Sequence, residues 1–340
     1  MTKHHRISIA LATGMIGVAG ALGVVAARPD RAVNGTIWSA NRFDHTIRGF
    51  DAATGALVRT VAMTPGSQPG DLAYARGKLY VAEEQGAAPA IAIVNPETGE
   101  TYRIPMAVGS RPHHVHASPG GDLVAVGLYG TDRVAVVDTA DDALLGLWDS
   151  NPNTTTGRVH AAVFSQDGNT LYLANEGANE IDAMDPRTGF VFWRLTVPGI
   201  HELAITHNGK TAYVTRRSAG QLAVIDLENR TYHDVVPLPL PDTLRLTPNE
   251  KVLTVGLRNS PAQLAVVDTI TFTIEVVVLS PDATSIAGHQ WTSRNGKYTF
   301  ASYEGGSSQG IAVIDHDAGH AIVQRLSYPG RPHGVEHVLP

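Results

Sequence analysis

The sequence predicts an all-β chain folded as a seven-bladed β-propeller, with four antiparallel strands per blade. Three observations predict it. Short apolar runs end on Asp or Asn seven times, at Phe50-Asp51, Val94-Asn95, Val137-Asp138, Met184-Asp185, Ile225-Asp226, Val267-Asp268 and Ile314-Asp315. These marks stand 41 to 47 residues apart, 44 on average, which is the length of one propeller blade. Between them, alternating apolar runs are punctuated by turn residues in a chain with 34 Gly and 20 Pro, and no segment keeps a helical period.

The elements follow in chain order. Residues 1–27 read as a signal peptide: Lys3, His4, His5 and Arg6 precede an uncharged stretch from Ile7 to the small-residue end Val25-Ala26-Ala27. The same stretch is long enough to serve as an N-terminal membrane anchor, and both readings stand. Cleavage would give a secreted or periplasmic protein without membrane contact. Residues 28–340 are then expected to form one propeller domain. Gly35–Met63 reads as a blade without its innermost strand, and Gly330–Leu339 as an innermost strand without a blade. Pairing the two closes the ring and removes exposed sheet edges. The other blades are expected at 67–107, 110–150, 157–197, 199–237, 240–279 and 285–328. Within 110–150, strands run from His113, from Leu123, from Arg133 and from Leu144, joined by Pro119-Gly120-Gly121-Asp122 and Gly130-Thr131-Asp132.

Composition narrows the function. The formal charge is −6, and −8 without residues 1–27, which disfavours nucleic acid as a partner. The absence of cysteine excludes disulfides, c-type haem attachment, iron–sulfur clusters and thiolate metal sites. No phosphate-binding Gly-rich loop, GxSxG elbow or HExxH pair is present.

Repeat segments resemble the YVTN family of propeller repeats. They are Arg111-Pro112-His113 to Ser118-Pro119-Gly120-Gly121, Leu171-Tyr172-Leu173-Ala174-Asn175, and Thr211-Ala212-Tyr213-Val214-Thr215 with Val224-Ile225-Asp226. The resemblance covers the chain after the leader and implies fold, since this scaffold carries enzymes, binding proteins and surface components alike.

Aligning blades on Ser118, Ser165, Thr206, Thr247 and Ser293 places His113, His160, His201, Asp242 and Gly288 at one repeat position. The closing strand adds His333 and the remaining blade Pro69. His114 and His289 follow one residue later, and the direction of His116 stays open. In a closed ring these residues converge on one mouth of the axial channel. The second strand of each blade returns to the same mouth, ending in Asn41-Arg42, Glu83-Glu84, Tyr129, Asn175-Glu176, Arg216-Arg217, Arg258 and Tyr303-Glu304.

Converging neutral imidazoles suit a divalent transition metal such as Cu or Zn. The expected metal residues are His113, His160, His201, His333, His289 and Asp242. His160, His201, Glu176 and Glu304 are expected to carry acid–base chemistry. Arg216, Arg217, Arg258, Glu83, Asn175 and Tyr303 are expected to bind a small-molecule ligand. His113-His114-Val115-His116-Ala117-Ser118 resembles the HHxHxS stretch of nitrous oxide reductase propellers, which implies metal ligation by His113 and His114. The Cys-containing copper domain of that family has no counterpart here, so a reductase is excluded. Arg331-Pro332-His333-Gly334 resembles the PHG element of streptogramin B lyases, with pairs His160/Glu176 and His289/Glu304 at similar spacing. That resemblance implies a divalent metal between His and Glu and a lyase or hydrolase activity. The alternative is that His113 and His333 are repeat-consensus turn residues. The chain is then a non-catalytic scaffold for a protein, cell-wall or single-stranded nucleic-acid partner.

Overall fold

The computed structural model describes residues 33–86, 88–151 and 157–340; the expected leader lies outside them. Among the described residues the strands form seven four-stranded antiparallel sheets, and the propeller expected from the repeat is the fold observed. Each Asp or Asn mark has a local cause. The side chains of Asp51, Asn95, Asp138, Asp185, Asp226, Asp268 and Asp315 each accept a backbone N–H two or three residues on. This closes the turn between the third and fourth strands. The Ser/Thr anchors work the same way at the inner hairpin. Ser118 Oγ bonds Asp122 at 2.7 Å and accepts Leu123 N at 3.0 Å, and Ser293 bonds Asn295 and Tyr298 N alike.

The innermost strands are Pro69–Ala75, Pro112–Ala117, Val159–Phe164, Ile200–Ile205, Pro241–Leu246, Ile286–Thr292 and Pro332–Val338. Each packs against the next, and Pro332–Val338 packs against both Ile286–Thr292 and Pro69–Ala75, so the ring is closed. The closure is the expected one: Pro332–Val338 pairs antiparallel with Thr36–Asn41, with Val338 opposite Thr36 and Pro332 opposite Asn41. Apolar side chains fill the seven spaces between neighbouring blades as seven separate clusters. Burial between blades, at about 25 cal/mol per Å² of apolar area, is what holds the blades in a ring. The outermost strands alternate exposed and half-buried residues, as in Val191–Thr196.

One feature was not expected. Every innermost strand carries a bulge near its start, where the register with the second strand shifts. A bulge re-aims side chains. Here it turns two successive residues of the strand toward the channel instead of one.

Candidate metal centre

The bulges create two levels of side chains at one end of the axis. Register places Gly70, His113, His160, His201, Asp242, Gly288 and His333 on the outer level, and Asp71, His114, Glu202 and His289 on the inner one. The expectation of Pro69 at the shared position is corrected: Pro69 pairs with Glu83, so Gly70 is the equivalent residue. The alignment slipped because this blade has Ala75 where others have Ser or Thr, and Asp71 was missed with it. Gly334 allows the close approach that seats Asp71, since a Cβ there would stand 2.6 Å from the Asp71 Cα.

The imidazoles make one contiguous cluster. Ring centroids lie 4.4 Å apart for His114–His160 and His114–His289, 4.8 Å for His113–His160, 3.7 Å for His160–His201 and 4.1 Å for His289–His333. Two carboxylates sit among them. Asp71 lies 3.3 Å from His114 Nδ1 and 3.2 Å from His289 Nδ1, and Glu202 lies 3.3 Å from His114 Nδ1 and 3.8 Å from His160 Nδ1. None of these approaches is aligned as a hydrogen bond. Nδ1 of His113, His160 and His289, both nitrogens of His114 and both oxygens of Glu202 are buried without a hydrogen-bond partner. Three donor sets result, each with ligand atoms within 4.8 Å of one another: His113/His114/His160, Asp71/His114/His289 and His114/His116/Glu202. Imidazole and carboxylate donors without sulfur fit Zn or Cu.

A rim of ion pairs surrounds this centre. His201 Nε2 and Asp242 Oδ1 are 2.7 Å apart, and Arg217 reaches the same carboxylate at 2.9 Å. His201 Nδ1 faces Glu176 at 3.5 Å, and Glu176 accepts the Tyr129 hydroxyl at 2.8 Å. Glu304 receives Arg258 at 2.9 Å, Arg331 at 2.8 Å and His333 Nδ1 at 3.1 Å. Glu84 receives Arg42 at 2.7 Å and Arg111 at 2.6 Å. Deeper in the channel, Arg245 lies over Trp291 and 4.0 Å from Glu202.

The residues expected from sequence divide accordingly. His113, His160 and His289 join the donor sets, together with His114, which the nitrous oxide reductase resemblance implied, and Asp71, His116 and Glu202, which the expectation lacked or left open. His201, His333 and Asp242 belong instead to the rim ion pairs. Arg217, Arg258, Glu176 and Glu304 reach the mouth. Glu83, Asn175, Arg216 and Tyr303 do not, because strand alternation turns the residue paired with the start of the innermost strand into the blade. Glu83 bonds Thr64, Ser67 and Arg103. Asn175 bonds Asp132 and Ser150, Arg216 bonds Asp234, and Tyr303 packs between two blades. Their neighbours one residue later are the ones that face the axis. Asp71 and Glu202 had a signal available: each is a charged residue within an otherwise apolar inner strand, DLAYA and HELAI.

Burial sets the protonation states. It holds His114, His160 and His333 well below the usual imidazole value, lowers His289, and brings His116 down to about 3. Burial also opposes charge on His201, but its bond to Asp242 and the nearby Glu176 carboxylate outweigh that and raise it. Burial raises Glu202 to about 7 and Glu336 to about 8. The rim carboxylates Glu84, Asp242 and Glu304 are lowered, the pull of their imidazole and guanidinium partners overcoming desolvation.

A pH dependence follows. Below the unfolded imidazole value of 6.5, the unfolded chain takes up protons at His114, His116, His160, His289 and His333 that the folded chain refuses. Stability from these five therefore falls with acidification. Glu202 and Glu336 act oppositely: the fold keeps their protons above the unfolded value of 4.5, which weakens it as pH rises. His316 and His337 are lowered as well, while His201 and Asp182 are raised, so seven groups stand against four and thermal melts of metal-free protein are expected to show a midpoint that drops from pH 7 to pH 5. A flat or rising midpoint would contradict this.

Comparison with known proteins agrees with the fold and names the family. The model of the family described as "Lactonase, 7-bladed beta-propeller" matches residues 42–183 and 73–273. The uncharacterized protein YncE of Salmonella typhi is 26% identical over 240 residues, an alignment spanning 66% of each chain. The periplasmic gluconolactonase PpgL of Pseudomonas aeruginosa superposes with a TM-score of 0.68 at 18% identity, covering 90% of this chain and 99% of that one. The dihydro-heme d1 dehydrogenase NirN superposes with a TM-score of 0.64 at 15% identity, covering 93% and 78% respectively. At these identities the two superpositions speak for the fold alone. With its seven sheets in a closed ring and the family model matched across most of their length, this chain belongs to the seven-bladed β-propeller lactonase family.

Proposed function

We propose that this protein is an exported, metal-dependent hydrolase that opens small lactones at its His-lined channel mouth. Family membership supports the substrate class, and the basic-then-apolar start of the sequence supports export. One observation carries the metal: imidazole nitrogens of His113, His114, His160 and His289 are buried without partners around the carboxylates of Asp71 and Glu202. Leaving a buried polar atom unpaired costs about 1–3 kcal/mol, and several together at one point are the mark of a ligand-binding arrangement. A divalent ion held there would supply Lewis acidity to a lactone carbonyl.

The chain's own groups do the rest. The guanidiniums of Arg111 and Arg217, with side chains 40% and 39% exposed, are the rim donors open to a substrate oxygen. Glu202, a buried carboxylate 3.3 Å from His114 and 3.8 Å from His160, is the group proposed to take a proton from the attacking water. As the water oxygen bonds the carbonyl carbon and the ring C–O bond breaks, the departing ring oxygen needs a proton. His201, whose protonated form is favoured by Asp242 and Glu176, is the rim group proposed to donate it. The test is glucono-δ-lactone hydrolysis, followed by acid release, on protein purified without chelators. Bound Zn or Cu is expected, with activity lost on chelation and restored by either ion. Metal-free protein of undiminished activity, or protein that binds neither ion, would refute the reading.

A further inference from the structure

We infer that the centre takes two divalent ions rather than one, with the His114 imidazole bridging them. The inference rests on the metal reading above and deepens it. His114 is the residue common to all three donor sets. Its ring lies between those of His160 and His289, at 4.4 Å from each. The first set adds His113 and His160 from two neighbouring blades. The second adds Asp71 and His289 from two others. Besides His114 the two sets share no donor, and the His113 and His289 rings are 6.5 Å apart. Each set gives its ion three protein donors and leaves positions open, the pattern of a reactive rather than a purely structural site.

The His114 ring itself supplies the second argument. It is fully buried, and neither of its nitrogens has a hydrogen-bond partner. A neutral imidazole has one N–H donor and one lone pair. One bound ion satisfies the lone pair and leaves the N–H orphaned in a dry site, at the cost that unpaired buried donors carry. Two ions satisfy both nitrogens: the ring releases its N–H proton to solvent, and each nitrogen gives a lone pair to one ion. His116 also has both nitrogens buried without a partner, but it belongs to one donor set alone, whereas His114 belongs to all three. Glu202, 3.3 Å from His114 and 3.8 Å from His160, lies outside these two sets and belongs with His116 to the third.

The experiment uses the full chain, stripped by chelator, reloaded with Cu(II) alone and freed of excess by gel filtration. Copper per chain is counted by mass spectrometry and spins per copper by electron paramagnetic resonance. Wild type is expected to hold two copper ions, with integrated spin intensity well below one per copper, because the shared imidazole couples them magnetically. His289→Gln and His160→Gln are each expected to hold one ion at full single-spin intensity. Gln preserves much of the ring's volume, and near-UV circular dichroism of both variants must match wild type. The inference is overturned by one copper in wild type, by two copper ions of full uncoupled intensity, or by two ions retained in either variant. One copper in wild type leaves the metal reading standing, whereas none removes both.

Discussion

Replacing His114 by Gln is expected to strip the metal from the folded protein and to lower kcat/KM for lactone opening by about 10²–10³-fold. That corresponds to losing about 3–4 kcal/mol of transition-state charge stabilisation. The residue is fully buried and common to every donor set, so its loss leaves each set with two donors. His207→Gln is the matched control. Its side chain is 54% exposed and faces Glu250, both in turns between the first and second strands of their blades, so metal content and rate should stay at wild-type values. Metal analysis and the rate are read on the same samples. A His114→Gln protein that keeps its metal would sink the assignment, and so would one that loses the metal without losing rate.

The second large effect concerns the ring. Deleting residues 330–340 removes the strand Pro332–Val338, which pairs with Thr36–Asn41 and packs against both neighbouring innermost strands. It removes Val335 and Val338 from the two clusters that flank this blade, each Val contributing about 1.5–3 kcal/mol by burial. It also leaves Thr36–Asn41 as a bare inner edge. The sum approaches the whole stability of an ordinary domain, about 5–15 kcal/mol. The truncated chain is therefore expected to be insoluble, or to melt at least about 10 °C lower if it folds at all. A permuted chain that begins at Gly330 and joins residue 340 to Asn34 by a short loop restores the same pairing, because Val338 already lies opposite Thr36. It is expected to recover the wild-type melting temperature within a few degrees. Truncated protein as stable as wild type would mean that ring closure contributes little.

Much of the fold was legible because its signals are local. The seven Asp or Asn marks close turns within their own hairpins, and the Ser/Thr anchors do so at the inner turns. Periodicity and turn chemistry therefore give blade boundaries without any long-range contact. The convergence of His113, His160, His201 and His333 followed from the same repetition. What failed was direction. Glu83, Asn175, Arg216 and Tyr303 stand one residue from groups that do reach the mouth, and the one-residue alternation of a strand sends them into the blades. The bulges, too, left no mark that the alignment used, and so the inner level with Asp71 and Glu202 was missed.

The sequence by itself determined the number of blades and the antiparallel order within each, since these depend on residues near one another in the chain, and the closing of the ring, since a blade short of one strand at the start is matched by a lone strand at the end. Only the tertiary structure decided which imidazoles keep an unpartnered nitrogen and which are tied to a carboxylate. His201 is engaged because Asp242 from the next blade lies 2.7 Å away, and His114 is not, although two carboxylates stand within 3.3 Å. Such differences of orientation depend on side chains about forty or more residues distant, brought together by the bulges and by packing between blades, and no local pattern encodes them.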